Sequence, residues 1–114
     1  MLKNYVFDID GTICTNTNGH YEKAEPFSDR VKIINDLFDS GNQIFFLTAR
    51  GMGRHNNDIA AANKEFYEFT KNQLDSWGLK YHRLFLGKPQ GDLYIDDKGC
   101  RDIKFFTPKV HNEN

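Results

Sequence analysis

Asp8-Ile9-Asp10-Gly11-Thr12 follows the apolar stretch Leu2 to Phe7, so two carboxylates one residue apart stand where a strand would end. Side chains two apart on a strand share a face. Asp8 and Asp10 therefore project towards one site, with hard oxygens that suit a divalent cation and carboxylate chemistry on a phosphate. Asp and Gly are also ordinary turn formers, and a solvated turn would account for this pentapeptide taken alone. The downstream residues argue against that reading. Thr48 supplies a neutral hydroxyl, Lys88 a cation, and Asp96-Asp97 a second carboxylate pair, each at or just after an apolar run. Clustered carboxylates without a cation repel one another and titrate upward. Lys88 and a metal such as Mg²⁺ both balance that charge. The set amounts to a metal, a cation, a donor and a nucleophilic carboxylate around one phosphoryl group.

The elements that must position these groups are legible in the apolar pattern. Tyr5 to Ile9 reads as a strand, apolar apart from Asp8, as buried parallel strands are. Residues 12–26 are polar and rich in Gly and Asn, a loop or small flap. Ser28 or Asp29 is placed to cap a helix whose stripe is Val31, Ile34, Leu37 and Phe38, with Gly41 where it should stop. Gln43 to Leu47 is a second strand, its Ile44-Phe45-Phe46-Leu47 run too apolar to face water. A Gly-rich loop at 51–57 follows. Asp58 then opens a long helix carrying Ile59, Ala62, Phe66, Phe69 and Trp77, ended by Gly78. His82 to Leu86 and Leu93 to Ile95 read as two further strands, and Ile103 to Phe106 as one more or as a tail packed on the sheet. This alternation predicts an α/β fold, a Rossmann-like three-layer sandwich with a parallel sheet of about four to five strands and right-handed crossovers. In such sheets ligands bind beyond the carboxyl ends of the strands, where Asp8, Asp10, Thr48, Lys88, Asp96 and Asp97 all fall.

Bulk properties set the limits. A chain of 114 residues suits one domain, spanning 1–114, with no repeats or linker. Sixteen acidic residues against fifteen basic give a net charge of −1, which supplies no broad footprint for nucleic acid. No apolar run approaches the roughly 20 residues of a membrane span, and Asp8 interrupts any signal-peptide core. The two cysteines, Cys14 and Cys100, form no metal-ligand pattern, which points to a reduced, cytoplasmic setting.

In order along nearly the whole chain, Asp8-Ile9-Asp10-Gly11-Thr12, Phe46-Leu47-Thr48-Ala49-Arg50, Gly87-Lys88-Pro89 and Tyr94-Ile95-Asp96-Asp97 resemble the four motifs of the haloacid dehalogenase superfamily. The resemblance implies that Asp8 is the nucleophile forming an aspartyl-phosphate, and that Asp10 is the general acid–base. Thr48 and Lys88 would hold the transferring phosphoryl. Asp96 and Asp97 would bind Mg²⁺ together with Asp8 and the main-chain carbonyl of Asp10. Members that cleave carbon–halogen or carbon–phosphorus bonds lack an acid at the position of Asp10, so hydrolysis of a phosphate ester is favoured.

The intervals from Asp10 to Thr48 and from Thr48 to Lys88 are filled by helix and strand, which leaves no room for a cap domain. The resemblance is thus to capless phosphatases, whose relatives act on phosphosugars of polysaccharide pathways, on phosphoproteins and on nucleic-acid ends. The favoured partner is a small-molecule phosphate ester, a phosphorylated sugar or polysaccharide precursor. The alternatives are a polynucleotide 3′-phosphatase, which the near-neutral charge disfavours, and a non-catalytic phosphate-sensing module, which the intact Asp10 disfavours. An uncapped site must exclude water otherwise, and a homo-oligomer in which a second subunit reaches over loops 12–26 and 51–57 would do so. Arg50, Arg54 and His55 lie just after Thr48 and are candidate substrate-binding residues, Arg50 or Arg54 pairing a second anionic group. His20 belongs to the flap, Cys14 reads as a small buried side chain, and Lys98 either tunes the acidic pair or pairs on the surface. The aromatic residues of the long helix have the spacing of core packing.

Overall fold

The computed structural model describes residues 1–107. Three strands, β1 (Asn4–Phe7), β2 (Gln43–Thr48) and β3 (Arg83–Leu86), alternate with helices α1 (Ser28–Asp39) and α2 (Ile59–Ser76), and a short helix α3 (Asp102–Phe106) closes the described chain. All strands are parallel in the order β1-β2-β3, with Phe7 opposite Phe46 and Phe46 opposite Leu84. A right-handed crossover between neighbours lays its helix on a fixed side. Two successive steps in the same direction therefore put α1 and α2 on one face. Phe7, Ile44, Phe46, Leu84 and Leu86 face that side and pack with Ile34 of α1 and Leu74 of α2 in a single core.

The helices begin and end for local reasons. Asp58 caps α2, its side chain accepting from the Ala61 N–H at 3.2 Å. At the other end Gly78 takes the left-handed φ of +78° that stops the helix cleanly. The start of α1 differs from expectation. Phe27 occupies the cap position without a side-chain bond, and Ser28 and Asp29 lie inside the first turn, where Asp29 still meets the positive end of the helix. No helix among the described residues is long and apolar enough to cross a membrane.

Two expectations are corrected. Among the described residues the sheet has three strands rather than four or five: Leu93 to Ile95 form none, and residues 91–101 are exposed. The described helices cover one face, so these residues form two layers where three were expected. Phe45 and Leu47 are consequently only half-buried, and Val6 and Phe85 beside them are exposed. The Ile103–Phe106 stretch is helical and packs as a tail, Phe106 stacking on Phe7 while Arg30 of α1 holds Asp102 at 2.8 Å.

The one-sided core makes a contrast along α2. Leu74 is fully buried, whereas Phe69 is 37% exposed. Leu74→Ala should cost about 2–5 kcal/mol through lost burial and the cavity left behind. Phe69→Ala should cost clearly less, as read from urea unfolding midpoints.

Candidate functional site

The ends of β1, β2 and β3 open into a cleft of about 410 Å³ lined by Asp8, Asp10, Thr48, Arg50, Lys88 and the flap residues Asn16 to Gly19. Asp8 leaves β1 directly. The Lys88 N–H continues the β2–β3 ladder by donating to the Thr48 carbonyl at 3.2 Å, which fixes Lys88 beside the end of β2. From there its ammonium reaches Asp8 Oδ2 at 3.6 Å and stands 4.3 Å from the centre of the Tyr94 ring. Burial pushes the Asp8 carboxyl above its ordinary value, and the Lys88 charge opposes that rise without cancelling it. Thr48 is buried, and its oxygen accepts from the Arg50 N–H at 3.1 Å, leaving its O–H to donate into the cleft.

Asp10 has a different environment. Arg50 grips it with two bonds, Nε to Oδ2 and Nη2 to Oδ1, both 2.9 Å. The Arg50 side chain is wholly buried. Its third nitrogen donates to Thr70 of α2 at 3.3 Å, and its guanidinium lies over the Tyr21 ring at 4.7 Å. The Tyr21 hydroxyl in turn accepts from Gly51 N–H at 3.0 Å. Gly51 is required here: its φ is +80°, and a Cβ would come 2.7 Å from the Phe66 ring. Cys14 completes the surroundings, its Sγ 3.6 Å from Asp10 Oδ1. Burial, with the Asp10 charge adding to it, pushes the Cys14 thiol up to about 12.

Asp8, Asp10, Thr48, Lys88 and Arg50 all line this cleft, whereas Arg54, His55, Asp96 and Asp97 do not. Arg50 was expected to meet substrate but is committed to Asp10. No pattern within the Arg50 segment identifies that partner, because the contact joins residues forty positions apart. Arg54 and His55 are both bound to Glu65, at 3.0 and 2.6 Å, and Arg54 also reaches the Gly19 carbonyl at 3.3 Å. They hold the 51–57 loop and the flap together and do not line the cleft. His20 is exposed and does not line it either. The flap is held down within the same chain, with Gln73 of α2 donating to the Tyr21 carbonyl at 2.8 Å. Tyr21, Asn16, Gln90 and Tyr94 line the cleft and were missed, since lone polar and aromatic residues in loops carry no spacing signal.

Asp96 and Asp97 are not brought to the others. Both are exposed, Asp96 accepting from Lys98 N–H at 3.0 Å and Asp97 lying 3.4 Å from the Lys98 ammonium. Among the described residues no group of three or more His, Cys, Asp or Glu side chains gathers to hold a metal. Within one copy of the chain, the donors do not fit the Mg²⁺ site that the motifs imply.

No family model matches the sequence, and no curated protein matches it. Among solved structures, a structural-genomics target from Vibrio cholerae is similar, with a TM-score of 0.86, 24% identity, and 97% of this chain and 93% of that one covered. A D,D-heptose bisphosphate phosphatase from B. bronchiseptica, crystallised with magnesium and phosphate, is similar at a TM-score of 0.53 and 19% identity. That match covers 87% of this chain but 54% of the phosphatase, so this chain spans about half of it. The likeness is one of fold.

The two aspartates should respond oppositely to neutralisation. The folded-state pKa of Asp8 is raised, so its contribution to stability is full below the unfolded value and is lost as pH climbs through the folded one. Asp8→Asn should therefore melt higher than the wild type at neutral pH, with the gap closing below the ordinary carboxylate range near about pH 4. Asp10→Asn leaves the buried Arg50 charge uncompensated and should cost on the order of 3 kcal/mol. Equal melting of both variants and wild type at neutral pH would overturn this electrostatic assignment.

Proposed function

We propose that the chain is a phosphohydrolase that cleaves a phosphate monoester through an aspartyl-phosphate on Asp8. The observation that carries this reading is the Asp8–Lys88 pair beside the Thr48 hydroxyl at one end of the parallel sheet. Lys88 favours the ionised form of Asp8 that burial opposes. One Asp8 oxygen attacks phosphorus, the P–O bond to the leaving group breaks, and an acyl phosphate forms. The departing oxygen needs a proton, and Asp10, two residues further along and lining the same cleft, would give it. A water then attacks phosphorus and returns its proton to Asp10. The phosphate leaves and Asp8 is regenerated. Lys88 and the Thr48 O–H face the phosphoryl oxygens and offset their charge through both steps.

The same reading takes a sugar phosphate or polysaccharide precursor as substrate. Asn16, Thr17, Asn18 and Gln90 line the cleft with amide and hydroxyl groups that match a polyhydroxy compound. The B. bronchiseptica structure of like fold is a phosphatase for a phosphorylated heptose. Mg²⁺ would be the cofactor in this reading only where a second carboxylate pair joined Asp8 and Asp10, since these two alone do not make its site. The chain's own part is to supply the nucleophile, the proton carrier and the phosphate donors.

Asp8→Asn should abolish phosphate release and the hydroxylamine-labile phosphoenzyme. Asp10→Asn, assayed at a temperature where it stays folded, should lower turnover by about 10²–10⁴-fold and least with an aryl phosphate. Turnover by Asp8→Asn near the wild-type rate would sink the mechanism. Excess chelator should halt turnover reversibly, since Mg²⁺ generally keeps several waters and would exchange readily.

A further inference from the structure

Asp96 and Asp97 follow an apolar triplet, Leu93-Tyr94-Ile95, whose Leu93 and Ile95 are 76% and 88% exposed. β1 is an edge strand, and no backbone bond among the described residues reaches its outer edge. The sheet face that includes Val6 of β1 is uncovered as well. An apolar strand segment without a sheet and a sheet edge without a strand are complementary liabilities. Parallel pairing of Leu93–Ile95 alongside Tyr5–Phe7 would set Asp96 level with Asp8.

The chain cannot make that pairing with itself. Only Gly87 to Asp92 separate the end of β3 from Leu93, and a parallel crossover takes roughly a dozen residues or more. An antiparallel approach is within reach but carries Asp96 and Asp97 to the opposite end of the sheet from Asp8. The connector is further restrained by its own turn, in which the Tyr94 hydroxyl donates to the Pro89 carbonyl and accepts from Gly91 N–H at 3.0 Å. Beyond the segment, α3 docks on the same chain's β1 and α1 through Phe106 and Asp102. The exposed stretch is thereby carried across to the β1 side of the sheet, where a neighbour sharing that edge would stand.

We infer that the site is completed in trans: a second copy of this chain lays Leu93–Ile95 along β1 and delivers its Asp96 and Asp97 beside Asp8 and Asp10. The exchange is reciprocal, so a two-fold dimer closes both edges and builds two sites. It resolves the mismatch between the motif order, which contains both acidic pairs, and the single chain, which keeps them apart. The inference rests on the hydrolase reading for its activity arm only.

Two measurements decide it. In a Cys100→Ser background, one tagged chain carries Tyr5→Cys and a differently tagged chain carries Leu93→Cys, the directly opposed pair in this register, the buried Cys14 staying unreactive. Co-expression and mild oxidation should give a covalent pair containing one chain of each tag. A protein that sediments as a monomer and forms no such pair overturns the exchange. Separately, Asp8→Asn chains and chains bearing both Asp96→Asn and Asp97→Asn should each be inactive. After mixing through a dissociated state, about a quarter of wild-type turnover per chain should return, because a mixed dimer contains one intact site of its two. No recovery from dimers shown to have mixed would mean that both acidic pairs act in cis. A wild-type chain that cross-links across copies yet releases no phosphate would sink the hydrolase reading and leave the exchange standing. Phosphate release by a monomer would do the reverse.

Discussion

The handedness of the crossover connection is the constraint on which the rest of this structure depends. A right-twisted strand feeding a right-handed helix returns to the sheet on one side only. Because the strands run β1-β2-β3 without reversing direction, both crossovers meet that rule on the same face. The hydrophobic core is accordingly one-sided, built from Phe7, Ile44, Phe46, Leu84 and Leu86 against two helices. The same geometry sends every strand out at one end, which is why Asp8, Thr48 and Lys88 converge although long stretches of sequence lie between them. It also leaves Val6, Phe45, Leu47 and Phe85 on a face with no helix of its own, and β1 as an edge. Site and unfinished surface are two results of one topological choice.

Within that frame the Arg50–Asp10 pair ties the local elements together. It joins the segment after β1 to the segment after β2, donates a bond to Thr70 of α2, and seats Tyr21 of the flap on its guanidinium. A buried ion pair of this kind is a poor source of net stability, since desolvation consumes most of the attraction. Its effect is positional. The planar fork fixes both Asp10 oxygens, which a lysine at the same place could not do. Gly51, Phe66 and Tyr21 exist in their present arrangement around a guanidinium that has to be kept dry.

Much of this was legible in the sequence, for reasons that also explain the rest. Helical spacing located α1 and α2, and the Asp58 cap and the Gly78 stop follow from local backbone chemistry. Motif order located the four groups that meet in the cleft. Loop contacts were not legible: nothing near Arg50 names Asp10, and nothing near Arg54 and His55 names Glu65, because such pairs form only once distant segments are packed. The Ile44–Leu47 run misled for a different reason. Apolar residues on both sides of a strand state that both faces can be covered, not that the same chain covers them. Leu93–Ile95 has the composition of a strand, but strand composition is a property of three residues and sheet membership a property of the connection. The shortness of Gly87 to Asp92 was readable all along, and it weighs against a fourth parallel strand in the same chain.

Two carboxylates of one type, separated by one residue, end in different surroundings. Asp8 is desolvated beside a single ammonium at 3.6 Å, so its charge is only partly stabilised. In the proposed hydrolase Asp8 would benefit from that as a nucleophile, because a carboxylate held too firmly has less to gain from bonding to phosphorus. Asp10 has both oxygens in the fork of a fully buried arginine. A carboxylate offers about four acceptor sites, so two bonds from Arg50 leave a second lone pair on each oxygen. The one on Oδ1 lies towards the Cys14 sulfur at 3.6 Å. In the proposed hydrolase the Oδ2 lone pair would carry the proton, and Arg50 would act as a positioning residue that keeps its direction constant. The division of labour between Asp8 and Asp10 thus follows from what surrounds them, and it would be lost if Lys88 and Arg50 exchanged partners.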